Sequence, residues 1–181
     1  MQEIHKDIIL SAQSGDRLAF KKLYNLYSKS MYNICFRMTE RYEIAQDVLQ
    51  DAFIDVFQNI KKFDFRVSFG AWMKRIVINH CINELKKKSL KLDFFDDLNI
   101  DIVEENQEDE IESLLSVEKI SKAMSILPEG TKTIFSLYLL EGYDHEEISQ
   151  ILNISTSTSK TQYMKAKQRI KNILIENGTA R

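Results

Sequence analysis

The sequence predicts an all-α protein made of two small helical modules joined by an acidic linker. Apolar residues recur with a period near 3.6, strand-like alternation is missing, and only 5 Gly and 1 Pro interrupt 181 residues. So few Gly and Pro residues leave little room for tight turns, which disfavours β-sandwiches, barrels and Gly-rich nucleotide loops. We expect the modules to span residues 1–92 and 113–177, with the linker at 93–112.

The individual helices are predicted from periodicity and from residues that start or stop helices. Ser14-Gly15 closes a short first helix, and Pro128 stands where a helix can begin, because the first turn does not need its amide proton. The linker has no sustained period. The predicted helices cover about residues 4–13, 16–38, 42–60, 69–88, 113–126, 129–141, 145–152 and 156–175.

Composition excludes several classes of protein. With 44% hydrophobic and 29% charged residues the chain is expected to be globular, and no apolar run approaches the ~20 residues that span a bilayer. No secretory signal opens it, so we expect a cytoplasmic protein without membrane insertion. Two Cys, no CxxC pair and 3 His exclude a disulfide scaffold and disfavour a zinc site. No metal or cofactor is predicted.

Charge is distributed unevenly, although the formal net charge is only −2. Residues 93–118 hold 11 acidic side chains and no Lys or Arg, which leaves 25 basic against 16 acidic residues elsewhere. Two basic folded parts joined by an acidic segment are a first indication of function, because charge bears on the choice of partner. The alternative is a solvated linker beside ordinary surfaces.

Residues 144–155 have the pattern of a helix-turn-helix. Asp144 and Glu147 form a capping box at the start of a short helix. Asn153 tolerates the left-handed conformation that the turn needs, and Ser155 can cap the next helix. A short helix, a tight turn and a longer helix together define the motif.

The second helix of this motif has one apolar and one polar face. From residue 158 to 171 it carries 5 Lys or Arg residues and no acid. Hydroxyl and amide groups near the start of a recognition helix can reach base edges, while flanking lysines meet phosphates. We therefore predict DNA binding, against the alternative of a surface helix with solvated lysines. The polar face comprises Ser157, Lys160, Thr161, Met164, Lys165 and Gln168, and the apolar face Ser159, Tyr163, Ala166, Ile170, Ile173 and Leu174.

The helix at 69–88 carries the only tryptophan outside its apolar arc. Trp72 groups at helical spacing with cationic and amide side chains, which suits stacking on an unpaired base beside its phosphates. The alternative is that the indole packs beneath a loop. The apolar arc is Ala71, Val77, Ile78, Cys81, Ile82 and Leu85, and the group around Trp72 is Arg75, Asn79, Asn83 and Lys86.

The segment KKFDFRVSF, just before this helix, interleaves aromatic and basic residues. Stacking of a base on an aromatic ring is worth about 1–3 kcal/mol, so the pattern favours binding of single-stranded DNA. The alternative for Phe63 and Phe65 is packing against the preceding helices. The aromatic residues are Phe63, Phe65 and Phe69, and the basic residues are Lys61, Lys62 and Arg66.

The helix at 42–60 combines a broad apolar face with an acidic, amide-rich stripe. Carboxylates four residues apart can meet, but no His or further carboxylate cluster completes a metal or acid–base site. Docking of a basic partner helix is the favoured interpretation, and a solvated face is the alternative. The stripe comprises Asp47, Gln50, Asp51, Asp55 and Gln58.

Together these motifs resemble those of a bacterial sigma factor of the extracytoplasmic-function group, along nearly the whole chain. AQDVLQDAFIDVFQNI is similar to the helix that binds core polymerase, and FDFRVSFGAWMKRIVINHCINELKK to the segment that opens and reads the −10 promoter element. LPEGTKTIFSLYLLEGYDHEEISQILNISTSTSKTQYMKAKQRI is similar to the −35-reading module. The order and spacing of the motifs make the resemblance specific.

The resemblance implies roles for particular residues. It implies contact of the polymerase clamp helices with Asp47, Gln50 and Asp51, and a path for the acidic linker through the polymerase's interior channels. It implies reading of the −10 element, with capture of a flipped base, by Phe65, Arg66, Phe69, Trp72, Arg75, Asn79, Asn83 and Lys86. It implies reading of the −35 element by Thr156, Ser157, Thr158, Lys160, Thr161, Gln162 and Lys165.

A few positions depart from the family pattern. Asn153 replaces the common turn Gly, and Ser159 occupies a usually apolar position, where we expect looser packing of the recognition helix. Gln162 stands where the family often has Arg, and Gly130 and Thr131 stand in a usually basic stretch. Individual contacts to the DNA backbone are therefore expected to differ from those of the family.

The prediction is a transcription initiation factor with no active site of its own. Its expected partners are core RNA polymerase (clamp helices and flap), promoter DNA and an anti-sigma factor. Two other classes are considered: a stand-alone DNA-binding regulator whose first module dimerises or senses a ligand, and a metal-dependent hydrolase that uses the helical aspartates. The regulator would leave Trp72 and the acidic stripe unexplained.

Overall fold

The computed structural model describes residues 3–88 and 122–179, which are helices and short turns with no strand among them. The chain divides into two compact units, Met1–Leu90 and Lys91–Arg181. The predicted all-α class with two modules is therefore confirmed. The predicted linker at 93–112, and most of the predicted helix at 113–126, lie outside the described residues.

The first unit is built from α1 (Lys6–Gln13), α2 (Arg17–Thr39), α3 (Tyr42–Asn59) and α4 (Phe69–Lys88), with a 3-10 turn at Ile60–Lys62. Gly15, with a φ of 95°, makes the turn between α1 and α2, a conformation that a side chain would strain. Asp16 Oδ1 accepts a hydrogen bond from the N–H of Leu18 at 2.8 Å and so caps the start of α2. These local signals place the helix ends close to the predicted ones.

The core of the first unit forms where α2, α3 and α4 pack together, with α1 against α2. Ala71 was predicted on the apolar arc of α4 but is exposed. Phe69 and Met73 are buried instead, because they lie four residues apart and continue the face of Val77 toward the helix start. The buried side chains of α4 are Phe69, Met73, Val77, Ile78, Cys81, Ile82 and Leu85.

The second unit is built around a helix-turn-helix. Residues 122–125 are helical, and α5 (Glu129–Phe135) continues into a π-helical turn at Ser136–Leu140. Next come α6 (His145–Leu152) and α7 (Thr156–Thr179). The apolar face predicted for α7 packs into the core, which contains Ala123, Met124, Leu127, Phe135, Ala166 and Ile170, with Tyr163, Ile173 and Leu174 packed against it.

Candidate nucleic-acid interface

The capping box that begins α6 is formed as predicted. Asp144 Oδ1 accepts from the N–H of Glu147 at 2.8 Å, and Glu147 Oε2 accepts from the N–H of Asp144 at 3.0 Å. Asn153 ends the helix with a φ of 56°, the left-handed conformation expected for the turn. Because α6 packs against α7, these two local features set where α7 begins.

The first turn of α7 presents a row of hydroxyl groups. Ser155 Oγ accepts from the N–H of Thr158 at 3.0 Å and lies 2.8 Å from the hydroxyl oxygen of Ser157. Hydroxyls here are suited to base edges, and the lysines beyond them to phosphates. The predicted −35-reading side chains that are exposed or partly exposed are Thr156, Ser157, Thr158, Lys160, Thr161 and Lys165.

Gln162 is buried, which corrects the prediction that it contacts DNA. Its side chain is 5% exposed, and its Oε1 accepts a hydrogen bond from Thr131 Oγ1 at 2.8 Å. A buried amide without partners is unfavourable, so this bond ties α7 to α5 inside the unit. Gln162, at a position where the family often has Arg, therefore has a hydrogen-bond partner inside the unit.

Ser159 is buried and paired, which corrects the expectation of looser packing at this position. Its Oγ lies 2.9 Å from His145 Nδ1, and the His145 ring stacks on Tyr138 with 4.5 Å between centroids. Burial lowers the pKa of His145; Lys160 lowers it further, and Asp144 acts in the opposite direction. The neutral imidazole is therefore the favoured form where α6 and α7 meet.

We expect His145 to make the second unit less stable as the pH falls below the ordinary histidine pKa of 6.5. The pKa of His145 is lower in the folded protein than in the unfolded chain, so the unfolded chain takes up a proton first as the pH falls. The free energy of unfolding therefore decreases between pH 6.5 and the lower folded-state pKa. Thermal unfolding of the full chain and of His145→Gln, from about pH 7.5 to about pH 5.5, measures this. The wild-type Tm should fall more steeply; parallel curves would contradict the assignment.

Trp72 is half-buried on the polar side of α4. Its ring centroid lies 5.4 Å from that of Phe63 and 5.6 Å from that of Phe69. An indole supported by two aromatic rings, with part of its surface accessible, is placed to stack on an unpaired base. The polar side chains grouped with it, Arg75, Asn79, Asn83 and Lys86, are all exposed.

Phe65 and Phe69, both predicted to contact DNA, occupy different environments. Phe69 is 0% exposed, which corrects its prediction: it supports Trp72 from within the core. Phe65 is partly exposed, and its φ of 64° is rare for a bulky residue. Its ring lies 4.7 Å from that of buried Phe63. Backbone strain of this kind is concentrated at binding loops, where surrounding contacts maintain it.

A cavity of about 720 Å³ opens beside this loop. Phe65, Arg66 and Ser68 line one side of it, and the N-terminal segment 3–6 lines another together with Tyr27. Burial, and to a lesser degree the Glu3 carboxylate, raise the pKa of Tyr27 above its ordinary value. The N-terminal side of the cavity was not predicted from the sequence, because residues 3–6 form no motif and lie about 60 positions before the loop.

The acidic stripe of α3 is exposed at the three residues predicted to bind polymerase, Asp47, Gln50 and Asp51. Asp55 is partly buried, and its Oδ2 lies 3.2 Å from His80 Nε2 on α4. The stripe thus divides into a solvent-facing part and a carboxylate that links α3 to α4.

Residues 3–88 and 122–179 contain neither a metal-binding cluster nor a membrane-spanning helix. No three His, Cys, Asp or Glu side chains there are grouped so that they could hold a metal ion. No helix in the same ranges is long and apolar enough to cross a membrane. Cys35 and Cys81 are buried and not disulfide-bonded.

Two family models match the chain. Residues 23–90 match Sigma-70 region 2, and residues 117–170 match Sigma-70, region 4. Together they cover about two thirds of the chain and include α3, α4 and the helix-turn-helix. The fold and its surfaces therefore define the class of protein as a two-module, DNA-binding protein of the sigma-70 type.

Relatives match over nearly the whole length. The ECF RNA polymerase sigma factor SigW of Bacillus subtilis (strain 168) is 29% identical over 183 residues, which cover 94% of this chain and 97% of that protein. The chain belongs to the extracytoplasmic-function (ECF) sigma factors, and it directs transcription initiation at promoters. The ECF RNA polymerase sigma-E factor of Haemophilus influenzae is 28% identical and covers 91% of this chain and 92% of its own.

Solved structures share the fold. The sigma factor RpoE from Bartonella quintana, in complex with the anti-sigma factor NepR, aligns with a TM-score of 0.57 at 18% identity, over 86% of this chain and 96% of its own. CnrH, in complex with the cytosolic domain of CnrY, aligns with a TM-score of 0.56 at 16% identity, over 93% of this chain and 96% of its own. At this identity the likeness concerns the fold alone.

Proposed function

We propose that residues 1–92 act as sigma region 2, residues 93–112 as a linker and residues 113–177 as region 4. The observation that carries the proposal is in the first module: the partly exposed indole of Trp72 lies on an exposed side of α4 that bears cationic and amide groups. A regulator that binds only duplex DNA would need the helix-turn-helix but would have no use for such a surface.

Region 2 reads and melts the −10 element through α4 and the loop before it. Trp72 and Phe65 offer aromatic surface to an unstacked base, Asn79 and Asn83 offer hydrogen bonds, and Arg75 offers a charge to the phosphates. Extruding a base costs a few kcal/mol, which stacking of about 1–3 kcal/mol per base helps to offset. Melting thus proceeds by capture of the open strand. Arg66 and Lys86 extend the cationic surface.

The solvent-facing part of α3 binds core RNA polymerase. Asp47 and Asp51 are one helical turn apart and exposed, with Gln50 beside them. Two carboxylates and an amide suit a basic helical surface, and the family resemblance identifies that surface as the clamp helices. Complementary charge also raises the rate of association. The resemblance assigns the flap of the polymerase to region 4.

Region 4 binds the −35 element through α7. Ser157 and Thr161 reach toward base edges, while Lys160 and Lys165 contact phosphates. Each DNA contact is modest alone, but joining the two regions in one chain converts the second contact into an intramolecular step. The holoenzyme thereby gains affinity for promoters that carry both elements at the right spacing.

An anti-sigma factor is the proposed regulator of this protein. The solved sigma factor RpoE, which shares the fold, is bound to the anti-sigma factor NepR, and CnrH is bound to the cytosolic domain of CnrY. The ECF resemblance implies control by an anti-sigma factor for this chain as well. The protein acts in the cytoplasm, where it meets RNA polymerase, and it has no active site of its own: the polymerase performs the chemistry.

Transcription in a defined mixture tests the proposal. Purified full-length chain is combined with core polymerase free of other sigma factors and with genomic templates, and transcript start sites are mapped. We expect a stable complex and specific transcripts whose upstream sequences share two elements. Binding to duplex DNA without binding to polymerase would indicate the stand-alone regulator, and absence of both complex and transcripts would overturn the proposal.

A further inference from the structure

The loop that precedes α4, residues 63–68, is attached at one end to α1. Gln13, on the last turn of α1, donates from Nε2 to the carbonyl oxygens of Ile60 at 2.9 Å and Phe63 at 2.8 Å. A single amide thus holds the two carbonyl groups that lead into the loop. Gln13 is only partly exposed, which shields these bonds from competition by water.

The other end of the loop is attached to the segment before α1. Glu3 Oε2 accepts a hydrogen bond from the N–H of Phe69, the first residue of α4, at 2.8 Å. Ser68 Oγ accepts from the N–H of Ala71 at 3.2 Å, so two acceptors satisfy amides at the start of the helix. A carboxylate is favoured there because the helix dipole is positive at its N-terminus.

Between these attachments, Lys6 lies over the middle of the loop. Its Nζ is 5.7 Å from the centroid of the Phe65 ring, within range of a cation–π interaction. Phe65 is also the loop residue with the left-handed φ of 64°. A bulky side chain keeps that conformation only when its neighbours hold it. Lys6 and Phe63 are such neighbours.

We propose that Glu3, Lys6 and Gln13 are positioning residues for −10 recognition, which they serve by holding the 63–68 loop in its base-capturing conformation. The inference rests on the function proposed above for that loop. The region 2 family match begins at residue 23, so all three residues lie outside it. Packing of α1 is carried by other residues, Ile9 and Ala12, which are buried.

The test uses holoenzyme assembled with each variant, on a promoter identified by start-site mapping and on versions of it substituted at single −10 or −35 positions. The main variant is Glu3→Ala combined with Gln13→Ala. Glu3→Gln retains an acceptor oxygen and serves as the conservative variant. Asp7→Ala and Ser11→Ala are matched controls, because both residues are exposed on α1 and Ser11 Oγ bonds within that helix.

We expect the double variant to lose about tenfold of its preference for the native base at one or more −10 positions, with −35 preference and affinity for core polymerase unchanged. Glu3→Gln and both controls should keep the wild-type preference. Lys6→Met keeps the aliphatic stem without the charge and should lose about threefold of the preference for the native base at −10 positions. Because this substitution leaves the hydrogen bonds of Glu3 and Gln13 in place, it tests the role of the loop even if the double variant folds poorly.

Unchanged −10 preference in both the double variant and Lys6→Met would overturn the inference. A parallel loss of −10 preference, −35 preference and polymerase affinity would also overturn it, because the residues would then serve general stability. If wild-type holoenzyme showed no −10 preference, the proposed function of the loop would itself be refuted.

Discussion

Replacing Trp72 by alanine is expected to slow open-complex formation about 10- to 100-fold, while affinity for core polymerase stays unchanged. The indole is the largest accessible aromatic surface of α4, and stacking of one base on it accounts for an effect of this size. Permanganate reactivity of the −10 region on duplex promoter DNA measures melting. Trp72→Phe keeps a flat ring and should retain an intermediate rate.

Two controls separate stacking from folding in this experiment. Phe36→Ala removes another aromatic of the same unit, 44% exposed on α2, and should leave melting unchanged. On a template whose −10 element is already unpaired, Trp72→Ala should regain much of its lost activity, because the protein no longer has to melt the duplex. Normal melting of duplex DNA by Trp72→Ala would refute the stacking role.

Reversing both charges in Asp47→Lys with Asp51→Lys is expected to lower affinity for core polymerase by about 100-fold or more. Under the proposed docking role, each substitution replaces attraction to the basic polymerase surface by repulsion. The fold should tolerate the change, because both positions are exposed and a like-charged pair spaced four residues apart is replaced by another such pair.

Competition with a labelled wild-type chain for core polymerase measures the affinity of the charge-reversal variant, and circular dichroism verifies its helix content. Asp7→Lys, at an exposed position on α1, is the matched control and should compete like wild type. Equal affinity of the double variant and the control would remove the docking role of α3. Loss of affinity without loss of helix would support it.

The helices of this protein could be predicted closely because their ends carry local signals. Asp16, Asp144 and Ser155 each accept a hydrogen bond from an amide two or three residues later, so the capping geometry is contained in a few adjacent residues. The π-helical turn at Ser136–Leu140 was not predicted, since it differs from an α-helix in hydrogen-bond pattern and hardly in residue type.

The predicted binding surfaces were less complete, and the errors share one cause. Phe69 was assigned to DNA because it stands among aromatic and basic residues, and Gln162 because the family resemblance implies that it belongs to the −35-reading set. Both are buried, Phe69 against Trp72 and Gln162 against Thr131, 31 positions earlier. Helical spacing gives the direction of a side chain but not the presence of a distant partner.

The amino-acid sequence alone determined the helical class, the two modules, most helix ends and the family, because periodicity, caps and motif order are properties of neighbouring residues. The tertiary structure decided which polar side chains are buried and paired, and it revealed that Glu3 and Gln13 hold the loop before α4. Such hydrogen bonds to backbone groups far along the chain leave no periodic pattern, so only the folded arrangement shows them.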